Sequence, residues 1–157
     1  MRIILFLICL LVLSSIQAQN SVLVFHKTDG FHHESIKAGC EFFQQLGKEN
    51  NFQVTITDDA SIFNKKELKN FKLVVFLNTT GNILNRKQEK AFEKFMTNGG
   101  NFLGIHSAAD TEYDWEWYGQ LVGAYFVSHP KACEAEIQLN QSKHPAVSHL
   151  PEVWKRT

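Results

Sequence analysis

The sequence carries no net charge, has few cysteines and, beyond its first residues, contains no long apolar run. Sixteen Lys and Arg balance sixteen Asp and Glu, and no segment concentrates either sign. The electrostatic footprint of a nucleic-acid partner is therefore missing. Of the three cysteines, Cys9 lies inside the apolar start, which leaves Cys40 and Cys133. Cys40 falls on an expected helix face and Cys133 on an expected strand, so two separate buried thiols are expected rather than a disulfide. The histidines do not form a zinc signature such as two histidines four apart around a glutamate. Internal repeats, low-complexity stretches and linkers are absent too, which argues for one domain after the leader.

The leader is residues 1–18. Arg2 supplies a positive start, Ile3 to Leu13 form the apolar run, and Ser14-Ser15-Ile16-Gln17-Ala18 gives a small-residue exit. This pattern predicts a signal peptide cleaved after Ala18. The run is too short to span a bilayer comfortably. The expectation is export to a periplasmic or extracellular space, with no membrane association after cleavage. About 139 residues remain, enough for one domain with its own core.

Those residues alternate between strand and helix patterns. Ser21–Phe25 and Leu73–Leu77 are short, continuously apolar runs, as expected of strands buried on both faces. Between them, Ile36, Cys40, Phe43 and Leu46 recur at helical spacing and predict a helix over about 33–49. Phe52–Thr57 reads as a second strand. Asn85 and Gln88 form a capping pair for a helix through Met96 that stops at Asn98-Gly99-Gly100. Phe102–Ile105 is the fourth strand and Ala135–Leu139 the fifth. Trp154-Lys155-Arg156-Thr157 then ends without a closing helix or strand, as a shortened domain would. The fold class expected is α/β, built on a mostly parallel sheet.

In such sheets ligands bind at the carboxyl ends of the strands. Three polar loops leave those ends: His26–His33, Asn78–Asn82 and His106–Asp110. The third is the most distinctive. Gly104-Ile105-His106-Ser107-Ala108 reads as a tight turn after a strand, the place where hydrolases and amidotransferases hold a nucleophilic Ser or Cys. Here the apex is histidine, which serves as general acid, general base or metal ligand near neutral pH. The catalytic candidates are His106, Asp110 and His33. The structural alternatives are a capping role for His106 and a carboxylate at a helix N-terminus for Asp110. Thr28, Gly30, Phe31, Thr80, Gly81 and Ser107 line the converging loops as candidate substrate contacts, joined by Trp117 and His129. Trp115 and Trp117 suit stacking on a sugar ring, or alternatively core packing. A metal site drawing on His33, His106 and His129 stays open, with a divalent ion as the cofactor.

Three ordered segments carry a family resemblance. Val24-Phe25-His26-Lys27-Thr28-Asp29-Gly30-Phe31-His32-His33-Glu34-Ser35-Ile36, Gly99 to Thr111, and Trp117 to Ala124 with Phe126 and His129-Pro130 resemble the ThuA-like (trehalose utilisation) domain. The resemblance implies a flavodoxin-like, doubly wound sheet with helices on both faces, similar to class I glutamine amidotransferases. Histidine replaces cysteine at the elbow in this family, as His106 does here, so glutamine hydrolysis through a thioester is not expected. The resemblance also implies a sugar or glycoside partner, trehalose-like disaccharides or their 3-keto derivatives, and a functional link to sugar dehydrogenases. Two positions depart from the family pattern: His26 stands where serine or threonine is common, and Asn82 where aspartate is. The family domain continues for several dozen residues past Trp154. Three functions are carried forward: acid/base chemistry on a sugar centred on His106, a non-catalytic carbohydrate-binding accessory domain, and a metal-dependent hydrolase.

Overall fold

Strands Ser21–Phe25 (β1) and Leu73–Leu77 (β3) lie at the centre of a four-stranded sheet and are almost wholly buried. The structure is a computed structural model that describes residues 20–139 and 144–156. β1 pairs in parallel with Gln53–Thr57 (β2) on one side and with β3 on the other. β3 pairs in parallel with Asn101–Ile105 (β4), giving the order β2-β1-β3-β4. The intervening helices are Ser35–Asn50 (α1), Lys65–Leu68 (α2) and Arg86–Thr97 (α3), and Glu116–Val122 (α4) follows β4. This is the expected parallel α/β sheet. The leader expected at residues 1–18 lies outside the described residues. Among the described residues no helix is long and apolar enough to cross a membrane.

Strand period two explains why both faces are covered. Val22, Val24, Val75 and Leu77 point to one face, where Phe43 of α1 packs on them. Leu23, Phe25, Val74 and Phe76 point to the other, against Phe63, Leu68 of α2, Phe92 and Phe95 of α3, and Tyr118 of α4. With apolar residues at successive positions, neither face can be left to water. Phe76 is the hub of the second core, its ring centroid 5.3 to 5.8 Å from those of Phe25, Phe63, Phe92, Phe102 and Tyr118.

Element boundaries follow local chemistry. The Asn85 side chain accepts from the backbone N–H groups of Lys87 and Gln88, and Gln88 Oε1 accepts from Asn85 N at 2.8 Å. This is the capping box expected for α3. α1 begins at Ser35 rather than His33, so His33 stays on the loop.

Residues 127–157 form a second compact unit. Ala135–Gln138 (β5) is a strand as expected, but it does not extend the parallel sheet. It pairs antiparallel with Val153–Arg156 (β6), with Ile137 opposite Trp154. The expectation of an end without a closing strand is therefore corrected. The polar Lys155 and Arg156 hide the strand from an apolar pattern, although Lys155 reaches Glu134 at 3.2 Å and the Arg156 guanidinium lies 4.8 Å from the Trp154 ring. The two thiols are free, as expected, but not buried. Cys40 is half-buried, whereas Cys133 is exposed and precedes β5.

The aromatic hub gives a direct test. Phe92 is fully buried and touches Phe63, Phe76, Phe95 and Phe102. Phe92→Ala is expected to lower the unfolding free energy by about 3–5 kcal/mol in a denaturant titration.

Candidate functional site

The three polar loops meet at the carboxyl ends of β1, β3 and β4, joined by short backbone ties. Thr28 bridges Thr80, and Gly81 bridges Thr111. Asp29 N donates to Thr80 O at 2.8 Å, and Gly81 N donates to Asp110 O at 2.9 Å. Thr80 Oγ1 donates to the Phe31 carbonyl at 2.9 Å while accepting from Gly30 N at 3.2 Å. Gly81 needs its glycine, because its φ is +76° and a Cβ there would lie 3.1 to 3.2 Å from Asp29 and Gly30. Thr79 Oγ1 lies 2.9 Å from Thr111 Oγ1, which in turn reaches the Ser107 carbonyl at 3.1 Å.

The elbow is real, but a 3-10 turn over His106–Ala109 follows it in place of an α-helix. His106 has φ +53°, the left-handed region, in which a side chain crowds its own backbone. This conformation turns the chain out of β4 and leaves the imidazole exposed. The capping alternative does not describe it, since no side-chain bond caps that turn. Instead, the His106 ring stands edge-to-face with His33, with centroids 4.5 Å apart and planes at 71°. His33 in turn meets the Phe31 ring at 4.8 Å. The two imidazoles, 73 positions apart in sequence, thus form one unit.

Asp110 ends the 3-10 turn and lies six positions before α4, so it is not a helix N-terminal carboxylate. Its Oδ1 lies 2.6 Å from the Tyr113 hydroxyl, which also donates to the Phe126 carbonyl at 2.7 Å. Desolvation, followed by the Asp110 hydrogen bond and charge, pushes the Tyr113 phenol up to about 12. The phenol therefore keeps its proton throughout the neutral range. His33 is held below its ordinary value near 6.5. Desolvation is the main cause and the His106 imidazole adds to it, while the Asp110 charge opposes both. An imidazole so placed is neutral, and able to accept a proton, over a wider range of pH.

Ser107 Oγ is buried without a hydrogen-bond partner among the described residues. Thr28 Oγ1 is 3.3 Å from His32 Nδ1. Two further candidates have partners of their own. Trp117 packs 5.1 Å from Trp115 and 5.9 Å from Phe92, and Trp115 is buried with Nε1 donating to Glu93. These tryptophans take the core-packing alternative. His129 belongs to the second unit, where its Nδ1 donates to the Pro130 carbonyl at 3.0 Å. Among the described residues no group of three His, Cys, Asp or Glu side chains is gathered as a metal site.

Two residues of the site escaped sequence reasoning. Tyr113 holds Asp110. Glu112, buried at φ +54°, accepts from Ile83 N at 2.9 Å and Leu84 N at 2.7 Å and so fixes the start of the loop before α3. Burial raises the Glu112 carboxyl above its ordinary range, against the pull of those two N–H groups. A carboxylate inside an aromatic segment was the available signal for Glu112, and the three-residue spacing from Asp110 was the signal for Tyr113.

A cleft of about 290 Å³ beside His106 is lined by Phe102, Leu103, Gly104, Ala108 and Leu121 among others. A second cavity of about 280 Å³, between α2 and α3 near Gly99-Gly100, is lined by lysines and apolar residues without a His or a carboxylate. Of the candidate catalytic groups, His106 lines the first.

Two measurements test this geometry. At a left-handed position glycine avoids the Cβ penalty, so His106→Gly should be about 1 kcal/mol more stable than His106→Ala in urea denaturation. Removing the neighbouring imidazole should also raise the His33 titration midpoint, followed by NMR, in His106→Ala. It should stay below 6.5 because the larger cause, desolvation, remains. Since the folded state binds this proton more weakly than the unfolded state, His33 stabilises nothing in acid: its cost to folding grows as pH falls through 6.5 and is absent well above it.

The comparisons with known proteins agree with this architecture. The chain matches the ThuA family, trehalose utilisation, over residues 21–157. The solved structure of a ThuA-like protein from Bacteroides uniformis ATCC 8492 superposes with a TM-score of 0.72 at 24% identity, over 87% of this chain and 57% of that one. This chain thus spans little more than half the length of that protein. A fragment from Peptoclostridium difficile 630, named as a lipoprotein, aligns at 16% identity over 67% of this chain and 98% of its own, with a TM-score of 0.34, too loose a fit to bear on the fold. Curated proteins give no match. With a family match that covers nearly every residue from β1 onward and a shared α/β fold, this chain belongs to the ThuA, trehalose-utilisation family.

Proposed function

We propose that this is an exported sugar-processing protein in which His106, assisted by His33 and Asp110, performs acid/base chemistry on a disaccharide or its 3-keto glycoside. The family supports a carbohydrate-related role. The observation that carries the finer reading is the contact of His33 and His106, centroids 4.5 Å apart, at the strand ends where an open parallel sheet binds its ligands.

The chemistry suits imidazoles. In a 3-keto glycoside the carbonyl acidifies the proton on C2. A base removes that proton, the C1–C2 double bond forms, and the C1–O bond to the aglycone breaks. The departing oxygen takes a proton from an acid, and the aglycone leaves as an alcohol. Ordinary glycosidases need two carboxylates because they pass through an oxocarbenium-like state, whereas elimination needs a base and an acid of near-neutral pKa. His33, kept neutral at lower pH than a free imidazole, suits the accepting role beside His106. Tyr113 holds Asp110 in place next to them. A sugar dehydrogenase acting beforehand would supply the ketone, and the leader at residues 1–18 would carry the protein to that compartment.

The test is release of aglycone from a 3-keto glucoside. Wild type should release it, and His106→Ala should be slower by about 10²–10⁴-fold. Equal rates in the two proteins would overturn the reading.

A further inference from the structure

We propose that Phe31 is the platform on which a pyranose ring of the ligand stacks, its apolar C–H face lying against the phenyl ring. The proposal deepens the sugar-processing reading and rests on it for the class of ligand.

Phe31 is 69% exposed, more than any other aromatic residue described. An apolar ring left in water forfeits the stabilisation that burial would bring. Yet its backbone is held by hydrogen bonds to a neighbouring loop. The Phe31 carbonyl accepts from Thr80 Oγ1, the preceding Gly30 N donates to that same oxygen, and Asp29 N donates to Thr80 O. Thr80 itself is buried. A fixed backbone that displays an unburied ring loses little conformational freedom when a ligand covers it.

The position of the ring supplies the second observation. His33 links Phe31 to His106 by successive ring contacts, with centroid separations of 4.8 and 4.5 Å. A ligand on the free face of Phe31 is therefore one ring away from the imidazole pair. The other aromatics near the elbow are already engaged. Trp115 is buried, Trp117 packs on Phe92, and Tyr113 is stacked on Tyr125 at 4.9 Å with its hydroxyl committed.

A phenyl ring offers no hydrogen bond, so its ligand must present an apolar face, and the threonines and histidines around it require hydroxyls at the edge. A pyranose presents both. An open-chain polyol has the hydroxyls without the face.

Equilibrium binding of trehalose, followed by protein NMR, tests the proposal, with sorbitol as the open-chain probe. Wild type should bind trehalose. Phe31→Ala should weaken that binding by about tenfold or more, Phe31→Trp should retain it, and sorbitol should show no dependence on residue 31. Thermal melts of both variants check that the fold is intact, as expected for a side chain that is 69% exposed. Unchanged trehalose affinity in Phe31→Ala, or no binding by wild type, would overturn the platform. His106→Ala separates the two ideas. If it releases aglycone as wild type does while Phe31→Ala still binds trehalose weakly, the acid/base reading fails and the platform stands.

Discussion

The segment Asn78–Gly81 ties this molecule's chemistry together. Leaving β3, one of the two central strands, it hydrogen-bonds to both of the other polar loops. Asn78 Nδ2 donates to Ser35 Oγ at 2.7 Å, at the first residue of α1. Thr80 holds the backbone of Asp29, Gly30 and Phe31, while Thr79 and Gly81 hold Thr111, Asp110 and Glu112. Asn78, Thr79, Thr80, Thr111 and Glu112 are buried, where an unmade hydrogen bond costs more than an exposed one. The loops that carry His33 and His106 are thus positioned by a common strap. His33 lies on a loop and His106 opens the 3-10 turn, and the strap is bonded to both segments.

The elbow at His106 shows how the sheet turns geometry into reactivity. β4 lies at the edge of the sheet, with Leu103 41% exposed. The left-handed turn at His106 breaks it off and raises a titratable side chain above the strand ends. Strain of this kind persists when the surroundings over-determine it, and it concentrates at functional sites. Around His106 the surroundings are Ser107 and Ala108, both buried, and the Tyr118 hydroxyl, which donates to the Ala108 carbonyl at 2.7 Å. Tyr118 also belongs to the aromatic core under the sheet. The core and the site therefore share a wall, and packing on one face of β3 and β4 bears on the position of the imidazole.

Much of this was legible in the residues. Continuous apolar runs at β1 and β3 announce strands buried on both faces, and the structure buries them so. Asn85 and Gln88 announce a capped helix. The glycines and the small residues around His106 announce a turn with a polar apex. Other features were not legible, for identifiable reasons. Trp115 and Trp117 look the same in sequence whether they line a groove or fill a core, because aromatic area serves both. Which one holds depended on Phe92 of α3 arriving beneath them. β6 was hidden because two of its four residues are charged, and its pairing with β5 is set by a partner fifteen or more positions away. Tyr113 and Glu112 carry no motif, and their roles exist only through the carboxylate and the two amides they meet.

The sequence by itself determined the period-two burial of the strands, the helix cap, the breaking of β4 at a histidine, and the family. Each of these is a local matter of side-chain volume, polarity and backbone preference over a few neighbouring residues. Only the tertiary structure decided that His33 is the partner of His106, that Asp110 is held by Tyr113, and that the exposed aromatic beside the pair is Phe31 and not a tryptophan. Those are contacts between loops far apart along the chain. They are fixed by the order β2-β1-β3-β4, which brings the ends of β1 and β4 to either side of β3, and by the hydrogen bonds of Asn78–Gly81 between them.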